Sequence, residues 1–309
     1  MNLQQMGFLN DIQVKRAIAD DRMAICPFRL DNLTPIGYNL SYSRFIVSIR
    51  KKTFAKIYHK NNEWFFFLKP AETVLILTRE SIWVSKFIGG TFHSKVSLVT
   101  KGLGHVSTTL DPGWQGQLLV PMNNPTKEKI KVVIARDCNG AMEYETFITM
   151  VLYWAVEASL NERMNNSSAR IEILEEILEK KKNSRDYEKL TEIIKDLKDS
   201  TGHIELYGNL NDPIKRNAKI KEFENSHKEL LRKMDDQFNQ INKISTRNYN
   251  LRMMFFGVSV VFLFAVIVGL ITFGFHYNSG KYREYVNYIV SALVPFVIMG
   301  LTHVKGKYI

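Results

Sequence analysis

From about Phe8 to Tyr153 the apolar positions fall into short β-rich runs broken by turn chemistry. Examples are Phe45-Ile46-Val47-Ser48-Ile49, Trp64-Phe65-Phe66-Phe67-Leu68, Thr73-Val74-Leu75-Ile76-Leu77, Ile130-Lys131-Val132-Val133-Ile134 and Phe147-Ile148-Thr149-Met150-Val151. Lys69-Pro70, Gly89-Gly90, Asp111-Pro112-Gly113 and Asn124-Pro125 punctuate them. Regularly spaced runs with such breakers predict a sandwich or barrel, not alternating βαβ units. Only Asn10 to Asp20 reads as a helix in this part.

After Trp154 the period changes. Leu160, Met164, Ser167, Ile171, Leu174 and Leu178 are spaced 4, 3, 4, 3 and 4, the seam of a coiled coil with one polar interruption at Ser167. Tyr187, Leu190, Ile194 and Leu197 continue the pattern past a break near Asn183. Ser200-Thr201-Gly202-His203 and Tyr207 to Pro213 are expected to stop a helix, with a small strand at Ile204-Glu205-Leu206-Tyr207 between them. A further helix carries Ile220, Phe223, His227, Leu230, Met234, Phe238 and Ile241. This pattern predicts a helical stalk that folds back at least once. A helix pair packing on itself and an intermolecular coiled coil both satisfy it, and His227 in the seam reads as a structural residue.

The C-terminal end is apolar over longer runs. Met253 to Phe275 gives 23 positions and Tyr285 to Val304 gives 20, all without Asp, Glu, Lys or Arg. Each reaches the roughly 20 residues needed to cross a ~30 Å hydrocarbon core. Lys233, Lys243, Arg247, Arg252, Lys305 and Lys307 flank the pair, against Lys281 and Arg283 in the intervening loop. The positive-inside rule then predicts a multi-pass inner (cytoplasmic) membrane protein with both termini in the cytoplasm. Ala265 and Gly269 permit close helix approach and Pro295 permits a kink, but neither distinguishes a pore from an anchor.

Composition sharpens this picture. The chain has 309 residues, 45% hydrophobic, with 42 Lys+Arg against 31 Asp+Glu and a net charge of +11. Such a charge suits a nucleic-acid partner, yet no basic tract is interleaved with aromatics, so no nucleic acid is expected. The charge sits beside the apolar runs and at Lys95 and Lys101 instead. Cys26 and Cys138 cannot build a disulfide framework, and Met1 to Met6 lacks the regions of a signal peptide, so the N-terminal part is expected in the reducing cytosol. A zinc deaminase is excluded because no His-x-Glu with Pro-Cys-x-x-Cys occurs.

Several stretches in order resemble the dCTP deaminase and dUTPase superfamily. They are Gly7 to Ile12, Met23 to Phe28, Leu33-Thr34-Pro35-Ile36-Gly37-Tyr38-Asn39-Leu40, Phe67 to Leu75 with Thr78-Arg79-Glu80, Ser94 to Leu103, and Leu110-Asp111-Pro112-Gly113-Trp114-Gln115-Gly116-Gln117-Leu118. The resemblance implies a distorted β-barrel that assembles as a homotrimer or higher homo-oligomer, with ligand sites between subunits. It implies a nucleotide or cyclic nucleotide ligand bound by Ser94, Lys95, Ser97, Lys101, Thr108, Asp111, Trp114 and Gln117. Small hydroxyls, free N–H groups and cationic donors at the Ser94 to Lys101 run suit phosphate. The family's arginine there is replaced by Thr100 or Lys101, and a lysine offers a point charge in place of a fork.

The departures bear on catalysis. The resemblance places Pro121 where the deaminases carry their proton-shuttling glutamate, and proline has no ionisable group. Asn39 stands where the family has an aspartate that helps position hydrated magnesium. The segment from Gly102 to Asp111 is shorter than in deaminases, and the family's phosphate-covering tail is not recognisable after Tyr153. No catalytic residue is therefore expected, with Asp111 the candidate if activity persists, and magnesium enters only with a bound nucleotide. His93 and His105 lie near the suspected site and could contact phosphate or base, but read first as structural or surface polar residues.

The expected architecture is multidomain α+β. Residues 1–154 form a dUTPase-like β domain, 155–250 a helical stalk with a break near 200–213, and 251–309 a two-helix membrane hairpin contacting the lipid bilayer. The expected function is a membrane-anchored nucleotide sensor or effector, in an antiphage setting by analogy of architecture. A membrane-tethered deoxynucleotide pyrophosphatase or deaminase and a purely structural trimerising scaffold are the alternatives.

Overall fold

The computed structural model describes residues 7–104, 107–159, 171–179, 187–202, 214–215 and 217–240, with Met254, Gly257, Val268 and Gly269. The chain divides into two compact units, Met1–Gln240 and Ile241–Ile309. Both predicted membrane spans fall in the second unit and, those four residues apart, lie outside the described residues, as do the strand predicted at 204–207 and the seam from Leu160 to Ser167. Among the described residues no helix is long and apolar enough to cross a membrane.

The first unit opens with β1 (Gly7–Phe8) and α1 (Asp11–Ala19). Asn10 caps α1 reciprocally: its Oδ1 accepts the Gln13 N–H and Gln13 Oε1 accepts the Asn10 N–H, both at 2.9 Å. Val14 and Ala17 turn inward from this helix. There follow β2 (Met23–Cys26), β3 (Leu33–Thr34), β4 (Gly37–Ser48), β5 (Thr53–Phe54), β6 (Tyr58–Lys60), β7 (Glu63–Leu68), β8 (Glu72–Val84) and β9 (Ile88–Ser94). After a one-turn helix, α2 (Val96–Val99), come β10 (Thr109–Leu110), β11 (Gln115–Asn124), β12 (Ile130–Cys138), β13 (Ala141–Tyr144) and β14 (Thr146–Trp154). The five β-rich runs of the sequence fall on β4, β7, β8, β12 and β14, with Ile49 just past the end of β4.

Two antiparallel sheets enclose the core. The larger runs β10-β9-β14-β4-β8-β11, with β1 added on β14, β2 on β8, and β3 and β5 on β4; the smaller runs β13-β12-β7-β6. Tyr38, Leu40, Ile46, Phe66, Leu68, Ile76, Phe92, Ile134 and Met150 fill the space between them. The two long strands bend through irregularities: β4 slips register against β8 between Tyr42 and Ile46, and β11 against β8 between Gln117 and Leu119. Thr78, Arg79 and Glu80 are the polar triplet of β8 at this bend.

Two further helices, α3 (Ile171–Glu179) and α4 (Tyr187–Gly202), contact each other and bury Leu174, Ile193, Ile194 and Leu197. α4 runs on through Ser200, Thr201 and Gly202, where a stop is predicted. Glycine costs only about 1 kcal/mol in a helix, and at the last turn that is tolerated.

The helix of residues 217–240, α5, differs most from expectation. Its stripe of Phe223, His227, Leu230, Leu231, Met234 and Phe238 is buried. Two of its aromatic residues are seated on the outside of the first unit's own sheet. Phe223 packs with Ala24, Cys26 and Trp83, and Phe238 meets Phe45 and Phe54 with ring centroids at 6.3 and 5.3 Å. An apolar stripe takes the nearest apolar face, and strands β2, β4 and β8 supply one.

Candidate functional site

The Asp111-Pro112-Gly113-Trp114 segment is a tight turn. The Trp114 N–H donates to the Asp111 carbonyl at 3.0 Å, and Gly113 sits at φ +78°. Proline second and a positive-φ glycine third are the requirements of a type II turn, so each residue is explained by geometry. The turn leaves Asp111 half-buried, its Oδ1 accepting the Thr109 hydroxyl at 3.3 Å. The Trp114 indole packs on the core and its Nε1–H donates to the Gly116 carbonyl at 3.1 Å. The ring's polar edge is thus turned to the backbone while the ring stays half-buried.

The Ser94 to Lys101 run folds as the end of β9 followed by α2. Lys95 caps α2, and its ammonium reaches the Thr146 hydroxyl on β14. Burial pushes the Lys95 ammonium below the usual lysine range. Ser97 and Lys101 are exposed on and just after the turn, as are Val96 and Val99. Thr108 is exposed, and its carbonyl accepts the Phe92 N–H at 3.1 Å. Gln117 is placed differently: it is buried and its Nε2 donates to the Thr78 carbonyl at 2.7 Å. Its described contact is a strand-bridging one.

Register decides which of these residues meet. Leu110 pairs with Gly90, so Asp111 stands level with Gly89, while Ser94 lies five residues further along β9. At ~3.3 Å per residue that is about 16 Å. One chain therefore presents the Asp111–Trp114 turn and the Ser94–Lys101 turn at opposite ends of one strand.

Between them the outer row of β9, β14 and β4 is hydrogen-bonded within itself. The Thr149 hydroxyl donates to Asn39 Oδ1 at 2.7 Å, His93 Nε2 lies 2.9 Å from the Thr91 hydroxyl, and that hydroxyl lies 2.8 Å from the Tyr153 OH. Asn39 and His93 thereby take structural partners, and His105 lies outside the described residues. Among the described residues no cluster of His, Cys, Asp or Glu could hold a metal ion.

Residues 8–136 match the family model described as dCTP deaminase-like. The N-terminal region is a dCTP deaminase-like domain. The chain is similar to the dUMP-forming dCTP deaminase of Tropheryma whipplei, with 26% identity over 138 residues, covering 40% of this chain and 70% of that protein. It is similar to the dCTP deaminase of Pyrococcus horikoshii, with 29% identity over 107 residues, 34% of this chain and 65% of that protein. Among solved structures, it resembles the Agrobacterium tumefaciens 2'-deoxycytidine 5'-triphosphate deaminase at 12% identity and TM-score 0.38, covering 48% of this chain and 49% of that one. It also resembles the native EIAV dUTPase at 19% identity and TM-score 0.26, with 41% and 98% covered.

Within the dCTP deaminase-like domain, Pro121 lies in β11, opposite Leu75 of β8. β11 is the last strand on the sheet's path; its outer side bridges Gly104 at Asn123, and among the described residues no hydrogen bond is lost at Pro121 for want of an N–H. The domain also holds a buried polar network that sequence reading passes over. Glu80 is buried and accepts the Ser41 N–H at 2.8 Å and the Ser41 hydroxyl at 2.7 Å, and Asn32 Nδ2 donates to that hydroxyl at 3.2 Å. Burial pushes Glu80 above the usual carboxylate range, while the two Ser41 hydrogen bonds draw it back. The available signal was the triplet Thr78-Arg79-Glu80 interrupting the apolar run of β8.

Proposed function

We propose that the dCTP deaminase-like domain binds a nucleotide without turning it over, at a site shared between neighbouring copies of the chain. The observation that carries this reading is Pro121: the strand that should bear the catalytic carboxylate is intact and in register, and the residue at that position has no proton to move. The opposite placement of the two candidate turns supports a shared site, because Asp111 and Trp114 of one copy need the Ser94–Lys101 turn of another to enclose a ligand. A homotrimer or higher homo-oligomer follows. In such a site Lys101 and Ser97 face the phosphates, Lys95 steadies the turn through Thr146, and Trp114 offers its ring to base or sugar. Magnesium would arrive with the ligand's own phosphates.

In this reading the two C-terminal apolar runs anchor the protein in the inner membrane, and the nucleotide state of the domain governs what they do there. A membrane-disrupting antiphage effector is one setting for that arrangement. A ligand shifts such a system only by binding its two states unequally.

The retained Asp111 favours one second reading, a tethered deoxynucleotide pyrophosphatase in which this carboxylate positions water. Incubating the full-length protein with each deoxynucleoside triphosphate, and following pyrophosphate and ammonia, separates the two. The proposal expects a thermal shift with at least one nucleotide and release of neither product. Turnover abolished by Asp111→Ala would establish the enzyme instead, and absence of any shift would leave a structural scaffold.

A further inference from the structure

Strand β8 is gripped from both sides at its polar bend. On one side Thr78 holds the candidate binding strand: its carbonyl accepts Gln117 Nε2 at 2.7 Å and its hydroxyl accepts the Leu118 N–H at 3.0 Å, across the register irregularity of β11. The same hydroxyl donates to the Glu80 carbonyl at 2.8 Å. On the other side Arg79 holds α5. Its carbonyl accepts the Nε2–H of the buried His227 at 2.9 Å, and its guanidinium reaches Asp235 Oδ2 at 3.4 Å while lying over the Tyr144 ring at 3.8 Å. Tyr144 OH completes the cluster 3.3 Å from Asp235 Oδ1, and Arg44 Nη1 donates to Asn239 Oδ1 at 2.7 Å further along the helix.

Two successive residues thus carry, one peptide apart, the fastening of the strand that follows the Asp111–Trp114 turn and the fastening of the helix that leads toward the C-terminal apolar runs. The Thr78 hydroxyl closes a ring with Glu80, so the peptide between Thr78 and Glu80 cannot rotate without breaking either the Leu118 contact or the His227 contact. The polar groups of the bend are buried, so leaving one of them unpaired carries a penalty.

We infer that Thr78 and Arg79 are positioning residues that couple the nucleotide site to the docking of α5, so that ligand at the Asp111–Gln117 segment and release of α5 regulate each other. This rests on the nucleotide-binding reading given above for the occupant of the site, but the coupling itself is mechanical and is measured without ligand. Coupling of this kind is reciprocal.

Two reporters read its two ends. Cys26 Sγ lies buried beneath α5, 3.7 Å from the Glu224 carbonyl, so its rate of thiol labelling follows release of the helix. Hydrogen exchange of the Leu118 amide follows the β11 fastening. In full-length protein carrying Cys138→Ser, to leave one thiol, Asp235→Asn removes the ion pair on the helix side only. It should speed Cys26 labelling and also speed Leu118 exchange, each by about tenfold for an interaction of about 1.4 kcal/mol. Thr78→Val, which removes the hydroxyl's bonds to Leu118 and Glu80 and no described contact of α5, should speed Cys26 labelling by a similar factor, with Thr78→Ser restoring it because the hydroxyl is kept. A purely structural role would move only the reporter adjacent to each substitution, and that result overturns the coupling. Addition of dCTP or dUTP then tests the occupant separately: neither altering Cys26 labelling would count against the nucleotide reading, while the ligand-free pair of rates still decides the coupling.

Discussion

Two outer faces of the same barrel hide aromatic side chains by opposite means. On β2, β4 and β8, Trp83, Phe45 and their neighbours are covered by α5, with Phe223 and Phe238 inserted and Arg44, Arg79, Tyr144 and Asp235 knotted around them. On β6, β7 and β12, Tyr58, Phe65 and Phe67 are covered by the chain's own lysines: Lys56 lies 5.0 Å from the Tyr58 ring, Lys131 4.3 Å from Phe65 and Lys129 4.2 Å from Phe67. The first cover can be lifted as a unit, since it is one helix. The second is made of separate lysine side chains, of which Lys131 also pairs with Glu63 at 2.6 Å. The first is also the face that shares β8 with the candidate site.

Removing the cover's apolar anchor should break the comparison most visibly. Phe238 is 4% exposed and wedged edge-on against Phe45 and Phe54, so Phe238→Ala should cost about 3–5 kcal/mol of docking. Limited proteolysis should then cut within 217–240 while the β domain survives. An unchanged cleavage pattern would mean that α5 is not held by this contact.

Protonation gives a graded version of the same release. Burial pushes His227 from 6.5 down to about 4, outweighing the hydrogen bond to the Arg79 carbonyl. The docked state therefore prefers neutral His227, and its contribution is fully present above pH 6.5 and lost as pH falls toward 4. At pH 5.5 the loss is about 1.4 kcal/mol, roughly tenfold in the docking equilibrium constant. The charged residue acting on it is Arg79 on β8, and the Phe223 ring stacks on it with centroids 6.4 Å apart. Glu80 acts with the opposite sign, because its raised value in the fold favours the folded protein as pH falls. Emission from Trp83, buried beneath α5, should report undocking between pH 6.5 and 5, and His227→Gln should flatten the profile. A profile unaffected by that substitution would assign the transition to other groups.

The same contrast explains what the sequence could and could not tell. Strand identity was legible because β4, β7, β8, β12 and β14 are apolar runs bounded by turn residues, and the Asp-Pro-Gly-Trp turn was legible because its geometry demands those residues in that order. The destination of α5 was not. A stripe at Phe223, His227, Leu230 and Phe238 fits a partner helix and a sheet face equally well, since periodicity records that a face is buried and not what buries it. Gln117 follows a related logic: a polar residue in a recognised motif looks like a ligand contact, and the register slip that turns it toward Thr78 leaves no mark in the sequence. Ser94, Lys95 and Asp111 stand close together along the chain. Their separation along β9 emerges only once Leu110 is paired with Gly90.

The smallest expected effect lies on the lysine-covered face, and it sharpens the comparison from the other side. Lys129→Gln removes one ammonium from the Phe67 ring but keeps most of the aliphatic stem, and the cation–π part of the loss is about 0.5–1 kcal/mol at an exposed site. The urea midpoint should fall slightly at low salt, and the difference from the parent should narrow as salt screens the surrounding charges. Cys26 labelling should stay unchanged, because the Phe67 ring under Lys129 lies on β7, while the described contacts of α5 are with β2, β4, β5, β8 and β13. If this substitution released α5 as Asp235→Asn is expected to, the two faces would be mechanically joined through the core, and β8 would lose its special place between the site and the helix.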